Sequence, residues 1–406
     1  MNQPRAFVIG AGIGGLTAAA ALHRRGWEVT VAERATAPER VGAGIALAPN
    51  AQRALDVIGL GDTVRAMSAW QDEGGLRTPS GRWLSRTTQD AAAERFGGPA
   101  VVAHRADLVA LLAAGLPGGA VRTGVSAEVA DPGTAERPAT VRTADGREHT
   151  ADLVVAADGI HSATRRALFP GHPAPRYAGF TAWRFVVPAP ERPFSPHETW
   201  GRGSLWGTIP LHDGRVYAYA TAAVPAGQRS PDGERAELLR RFGDWHHPVP
   251  DLLAALDPAA VLRNDVYRTA AAPPAHHLGR VALLGDAAHA MTPNLGQGGC
   301  QAIEDAVVLA HHAAPDPGTT AAALAAYTRD RLPRTMAVVR RSERVGRMTT
   351  LTSPPVVALR TAAVAVLNRI GPRLALRSLD GIADWRPPEP YAAGARETRG
   401  TAGRRR

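Results

Sequence analysis

A chain of 406 residues, 45% hydrophobic and 21% charged, exceeds one hydrophobic core and has ordinary globular composition, which excludes a fibrous or wholly disordered protein. The formal charge is +10, yet lysine is absent: all 47 basic side chains are arginine, interspersed with 37 acids along most of the length instead of forming the stripe of a nucleic-acid binder. The one cysteine, Cys300, excludes an internal disulfide and a cysteine-built metal site, and no run approaches 18 uninterrupted apolar residues, so no membrane span is expected and the cytoplasm is the default location.

The chain opens with a strand-like run, Arg5 to Ile9, then Gly10-Ala11-Gly12-Ile13-Gly14-Gly15, then an alanine- and leucine-rich helical stretch to Arg25. Gly26 stops that helix, and Trp27 to Glu33 alternates as a second strand ending in an acid. This is a βαβ unit with G-x-G-x-x-G spacing at Gly10, Gly12 and Gly15: a tight turn, close approach to a pyrophosphate, and close helix packing. The helix N-terminus favours diphosphate charge, Glu33 stands where an acid binds ribose hydroxyls, and Arg34 is a further candidate for the adenosine. The loop alone leaves FAD and NAD both open.

Arg105 begins a predicted helix through Leu111. Leu153 to Ala157 reads as a buried strand leading into Asp158-Gly159, and Val281 to Leu284 leads into Gly285-Asp286 and on to Gly296-Gln297-Gly298-Gly299. Ligands lie at the carboxyl ends of strands in an open parallel sheet, so three such junctions are expected to converge on one extended cofactor. Cys300, Ile303, Ala306, Val307 and Ala310 have helical spacing, which puts the preceding glycines at a helix N-terminus.

Between Tyr177 and Val224 the pattern changes to aromatic and β-branched segments, Phe180 to Val187, Glu198 to Ile209 and Gly214 to Ala223, expected as strands of a second domain. Alternation puts Tyr217 and Tyr219 on one face, with Trp183, Trp200 and Trp206 adding bulk to an apolar chamber over the cofactor. Leu205, Tyr217 and Asn294 are the candidate pocket residues. Thr319 to Ile370 is helical, divided by Pro333 and by Pro354-Pro355; its most apolar part, Val356 to Leu367, is read as packing, with a peripheral membrane contact as the alternative. Cys300 reads as a small buried residue, and the adjacent histidine pairs do not have the spacing of metal ligands.

The three motifs, with Val41 to Asn50, His104 to Leu108, Ser162, Arg165, Pro293 and Glu304-Asp305, run through nearly the whole chain in the order of the single-component, class A FAD-dependent monooxygenases, the aromatic-ring hydroxylases that include 4-hydroxybenzoate and salicylate hydroxylases. The chain resembles that family. The resemblance implies an α/β fold: a Rossmann-like FAD-binding domain (1–70, 99–170, 274–314) interleaved with a smaller mixed-sheet substrate domain (71–98, 171–273). C-terminal helices (315–390) and a disordered basic tail (391–406) are expected to follow.

It also implies non-covalent FAD, with Asp286 on the ribityl chain and with Arg105 and main-chain groups near Ala46 and Val125 on other parts of the cofactor. Backbone donors from Gly296 to Gly299 would face the charge of the reduced flavin. NAD(P)H would dock transiently, aided by Asp158 and Arg165, because Gly59-Leu60-Gly61 lacks the strand and third glycine of a second dinucleotide loop. In such enzymes dioxygen forms a C4a-(hydro)peroxyflavin that oxygenates an aromatic or polycyclic small molecule. The rivals are a halogenase or dehydrogenase on the same scaffold, or a non-catalytic flavin-binding partner. Thr208-Ile209-Pro210 keeps only the tail of the Trp-x-Trp-x-Ile-Pro element of halogenases.

Overall fold

The computed structural model describes residues 3–37, 43–68, 73–370, 376–377 and 379–389; the tail expected at 391–406 lies outside them. A six-stranded sheet has the order His277–Leu278, Val281–Leu283, Leu153–Ala156, Arg5–Ile9, Glu28–Glu33, Val121–Thr123. All its pairings are parallel except that of the first two strands. Val8, Val31 and Leu153 to Ala156 are all but inaccessible to solvent, as a parallel sheet covered on both faces requires.

Side-chain alternation assigns the two faces. Ala6 and Val8 pack with Leu16, Leu22, Ile303 and Val307 of the helices Ile13–Arg24 and Gly298–His312. Phe7 and Ile9 point the other way, onto Ala139, Val141 and Ala151 of a three-stranded antiparallel sheet. Trp27, fully buried, ties the first layer together by donating to the Ala313 carbonyl at 3.1 Å.

The second large sheet has seven strands in the order Leu262–Arg268, Arg176–Pro188, Arg215–Ala222, Ser204–Pro210, His197–Trp200, Glu73–Arg77, Trp83–Thr88. The expected single run from Glu198 to Ile209 is therefore two strands. Gly203, at φ +62°, takes the left-handed conformation that turns one into the other.

Register corrects the expected place of two tryptophans. Phe185 pairs with Ala218 and Trp183 with Ala220, so both share a face with even-numbered residues of that strand, opposite Tyr217 and Tyr219. Trp183 and Trp206 accordingly pack outward with Leu238, Phe242 and Leu252 of the helices Glu234–Phe242 and Val249–Ala254. The tyrosine face is the one that meets the rest of the molecule.

Pro333 does not divide the C-terminal helical region: Thr320–Thr349 is one helix with the proline inside it. A proline there removes the hydrogen bond to the carbonyl four residues back. That residue, Arg329, and Pro333 itself are exposed, so water can satisfy the carbonyl, while Arg331 and Thr335 on the buried side hold the helix down.

Candidate flavin and substrate site

The glycine loop is shaped by steric exclusion. Gly10 has φ +103°, and a Cβ there would lie 2.4 Å from the Ala157 carbonyl oxygen. A Cβ at Gly15 would lie 2.0 Å from the Gly10 oxygen, and one at Gly14 2.5 Å from Leu284 Cδ2. At Gly12, which caps the Ile13–Arg24 helix in extended geometry, nothing stands within 4 Å. The loop is thus pressed against the sheet everywhere except at the helix N-terminus, where the main chain faces open space. Glu33 turns back to this loop: one carboxylate oxygen accepts from Ala11 N–H at 2.8 Å and the other from Ala35 N–H at 2.9 Å, with lone pairs left for ribose hydroxyls. Arg34 is exposed nearby, and Val125 spends its N–H on the Glu33 carbonyl at 2.8 Å.

The Asp158 and Asp286 loops leave adjacent strands of the same sheet, so all three junctions converge. One Asp158 carboxylate oxygen accepts from Thr164 N–H at 3.1 Å, while the other is buried without a partner. Arg165, 5% exposed, donates to the Ile160 and Ala287 carbonyls at 2.7 Å each and so ties the two loops. Asp286 is reachable by solvent yet surrounded by protein; desolvation raises its pKa, against the pull of His289, Arg105 and Arg165. Arg105, exposed at the start of its helix, thus shares the cleft with Asp286.

A buried ionic network positions these loops. Arg331 pairs with Glu304 at 2.6 Å and with Asp305 at 2.7 Å, and both acids are fully buried. Asp305 also accepts from Gly285 N–H at 3.0 Å and meets His289 Nε2 at 2.5 Å. Burial alone would raise the Asp305 pKa; His289 and Arg331 hold it well below the usual carboxylate range. Glu304 takes a bond from Asn50 at 2.6 Å, and Asn50 also donates to Gln297, the cap of the Gly298–His312 helix, at 3.0 Å.

Gly296, at φ +62°, is close enough to Ala46 that an added Cβ would touch the alanine methyl at 3.5 Å; at Gly299 it would meet Ile45 Cδ1 at 2.7 Å, and at Gly298 nothing nearer than 4.0 Å. Asn50 Oδ1, Gln297 Nε2 and Asp158 Oδ1 are buried polar atoms without protein partners around this cleft. Together with the open helix N-termini at Gly12 and Gly298 they fit a polar, phosphate-bearing cofactor. Cys300, fully buried with its thiol pushed up to about 12, is the expected packing residue.

Across the cleft stands the tyrosine face. Tyr217 packs with Val102, Leu211, Ala46 and Ile209, and a Cβ at Gly44 would strike its ring at 2.4 Å. Leu205, 3% exposed, shares this face by alternation with Gly207 and Ile209. Asn294 donates to Thr349 at 3.3 Å and packs on Gly346 of the long helix, with its Oδ1 buried and without a protein partner.

Sequence reasoning missed Glu198. Its carboxyl accepts from Tyr219 Oη at 2.6 Å and from Trp200 Nε1 at 3.0 Å, half-buried, with its pKa raised by desolvation and only partly drawn back by those bonds. No arginine pairs with it among the described ion pairs. The signal was available: Glu198 and Trp200 alternate with Thr199 in a strand whose neighbour carries Gly207, the gap that admits the Tyr219 ring.

Residues 4–342 match the protein family described as FAD binding domain. The chain is 39% identical over 347 residues to the aurachin C monooxygenase/isomerase of Stigmatella aurantiaca, covering 84% of this chain and 88% of that protein. It is 37% identical over 358 residues to a 3-amino-4-hydroxybenzoate 2-monooxygenase of Streptomyces cremeus, covering 84% and 86%. The structure of Klebsiella pneumoniae HpxO complexed with FAD and uric acid superimposes with a TM-score of 0.81 at 31% identity, covering 94% of this chain and 96% of that one.

Proposed function

The chain belongs to the FAD-binding-domain family of flavoprotein aromatic monooxygenases, and from that premise we propose that it takes reducing equivalents from transiently bound NAD(P)H and places one atom of dioxygen on an aromatic or polycyclic small molecule. The observation that carries this reading is the meeting of three strand-end loops around one open cleft, with an aromatic sheet face as its far wall. On this reading the flavin domain assigned to 1–70, 99–170 and 274–314 meets the substrate domain assigned to 71–98 and 171–273 at that cleft.

Bound FAD supplies the redox chemistry, accepting hydride and activating oxygen. The chain's own groups hold and shield it. The Gly12 end of the first helix would carry the diphosphate, and Glu33, with Arg34 nearby, the adenosine ribose. Arg105 and Asp286 would grip the central part of the cofactor, with Asp158 and the main chain at Ala46 and Val125 as further contacts. The N–H groups from Gly296 to Gly299, at a helix N-terminus, would stabilise negative charge on the reduced ring. Leu205, Ile209 and Tyr217 would exclude water from the opposite side, and Glu198, fixed by Tyr219 and Trp200, would accept a hydrogen bond from the substrate.

The test is substrate-stimulated NAD(P)H oxidation with incorporation of labelled dioxygen, starting from urate, 3-amino-4-hydroxybenzoate and aurachin C, the compounds named for the relatives. Label in the product sustains the reading. FAD binding with NAD(P)H oxidation but no label would favour a dehydrogenase; FAD binding without any turnover would favour a non-catalytic partner.

A further inference from the structure

The described residues expose eight large hydrophobic side chains, and six of them, Met348, Val356, Leu359, Val366, Leu367 and Ile370, lie between Met348 and Ile370. Leu359 is 71% and Ile370 75% exposed. Most belong to the helix Pro354–Ile370, which is apolar on its outer face. Val357, Thr361, Val364, Ala365 and Asn368 are the half-buried residues and Arg360 the buried one, whereas Val356, Leu359, Ala363, Val366, Leu367 and Ile370 form an apolar stripe facing outward. A helix whose outer face is as apolar as this does not end at water.

Charge selects what covers it. From Arg344 to Leu379 the sequence holds six arginines and neither aspartate nor glutamate. Arg344, Arg347 and Arg369 are exposed, although Arg347 also reaches Glu343 at 2.7 Å; exposed Arg202 binds the Thr352 carbonyl at the foot of the helix. An isologous contact with a second copy would set these arginines against one another. The stripe itself carries no polar group that could give a protein partner orientation. No single described helix is long and apolar enough to cross a membrane, and this helix makes a 119° bend with the one before it.

We propose that the Pro354–Ile370 helix is a lipid-docking surface. It settles in the headgroup region of an anionic bilayer with its apolar stripe at the acyl boundary and the flanking arginines on lipid phosphates. Arg360, 7% exposed, anchors the helix to the body: it donates to the Met348 carbonyl at 2.9 Å and the Gly201 carbonyl at 3.0 Å, with its guanidinium 5.6 Å from the Trp200 ring. The docked helix therefore sits beside the turn that carries the Glu198 and Trp200 strand.

The test is sedimentation of the FAD-loaded, full-length protein with vesicles of equal parts phosphatidylglycerol and phosphatidylcholine, and with vesicles of phosphatidylcholine alone. The expected result is sedimentation with the mixed vesicles, weakened by salt, and little with the neutral ones. Leu359→Asp with Leu367→Asp, checked for flavin colour and melting temperature, lowers partitioning by at least about tenfold. Leu359→Ser with Leu367→Ser serves if the acidic variant does not fold, and is expected to give a smaller loss.

Four results would overturn the proposal. They are no sedimentation of the parent protein, equal binding to neutral vesicles, undiminished binding by a folded variant, or a doubled mass by light scattering without lipid that reverts in the variant. The last would assign the stripe to self-association.

Discussion

On the cofactor side of the cleft the groups proposed to meet the ligand are main-chain N–H groups at Gly12 and Gly298, presented by helices packed through glycine contacts and buried ions. On the opposite sheet they are side chains, Leu205, Tyr217, Tyr219 and Glu198, selected only by the alternation of a strand. The first wall tolerates few residue types at Gly10 and Gly15, where a Cβ collides with backbone. The second can change its chemistry by any substitution that keeps the register. A constant cofactor and a variable substrate call for this division of labour.

The comparison breaks most decisively at the ion network under the cofactor wall. Arg331→Met leaves Asp305 buried without its arginine, while Glu304 keeps Arg334 at 2.7 Å; the expected loss is about 3–5 kcal/mol of unfolding free energy, together with reduced FAD occupancy. An unchanged denaturant midpoint would show that the network does not support that wall.

Two glycine substitutions sharpen it. Gly15→Ala forces a Cβ to within 2.0 Å of a backbone oxygen and is expected to cost at least about 2 kcal/mol. Gly12→Ala, with open space around it, is expected to change the stability of the FAD-free protein by less than about 0.5 kcal/mol while weakening FAD at least about tenfold. Fluorescence titration of the flavin together with urea unfolding separates the two effects; FAD affinity untouched by Gly12→Ala would move the phosphates elsewhere.

A pH effect belongs to the cofactor wall as well. Burial, then His289, pushes the His276 pKa down to about 3, against 6.5 for the free side chain. Between those values the unfolded chain binds a proton that the folded one does not, so stability is complete above pH 6.5 and falls as pH drops through the window, by up to ~1.4 kcal/mol per unit. His276→Phe, which keeps a ring against His289 and Tyr327, should flatten that slope in unfolding measured from pH 4 to 7.

Smaller effects are expected from the substrate wall. Tyr219→Phe removes one hydrogen bond to Glu198, worth about 1 kcal/mol, and Glu198→Gln converts the acceptor into a mixed donor and acceptor. Both variants should keep FAD and melt nearly as the parent does, while KM for substrate rises more than kcat falls. Loss of FAD from either would place Glu198 on the wrong side of the cleft.

The cofactor wall was legible because its constraints are local: a turn that needs Gly10, a helix that needs Gly15 and an acid at a fixed distance all fall within one βαβ unit. The substrate wall depends on register between strands far apart in the chain. The tryptophans could be recognised as bulky, but their face follows from Trp183 lying opposite Ala220, which no single segment encodes. Pro333 misled for a related reason, since local rules foresee a break and only the burial of Arg331 and Thr335 reveals what holds the helix across it. Glu198 was passed over because a carboxyl without a nearby base or metal ligand looks like surface until Tyr219 and Trp200 are seen to close on it.

The network around Arg331 joins parts that the chain order keeps separate: the Gly285–His289 loop through Asp305, the helix cap Gln297 through Glu304 and Asn50, and the long helix that bears the arginine itself. Heat therefore has no weak seam between the flavin cradle and that helix. Bleaching of protein-bound colour and collapse of helical ellipticity should share one midpoint and one calorimetric peak.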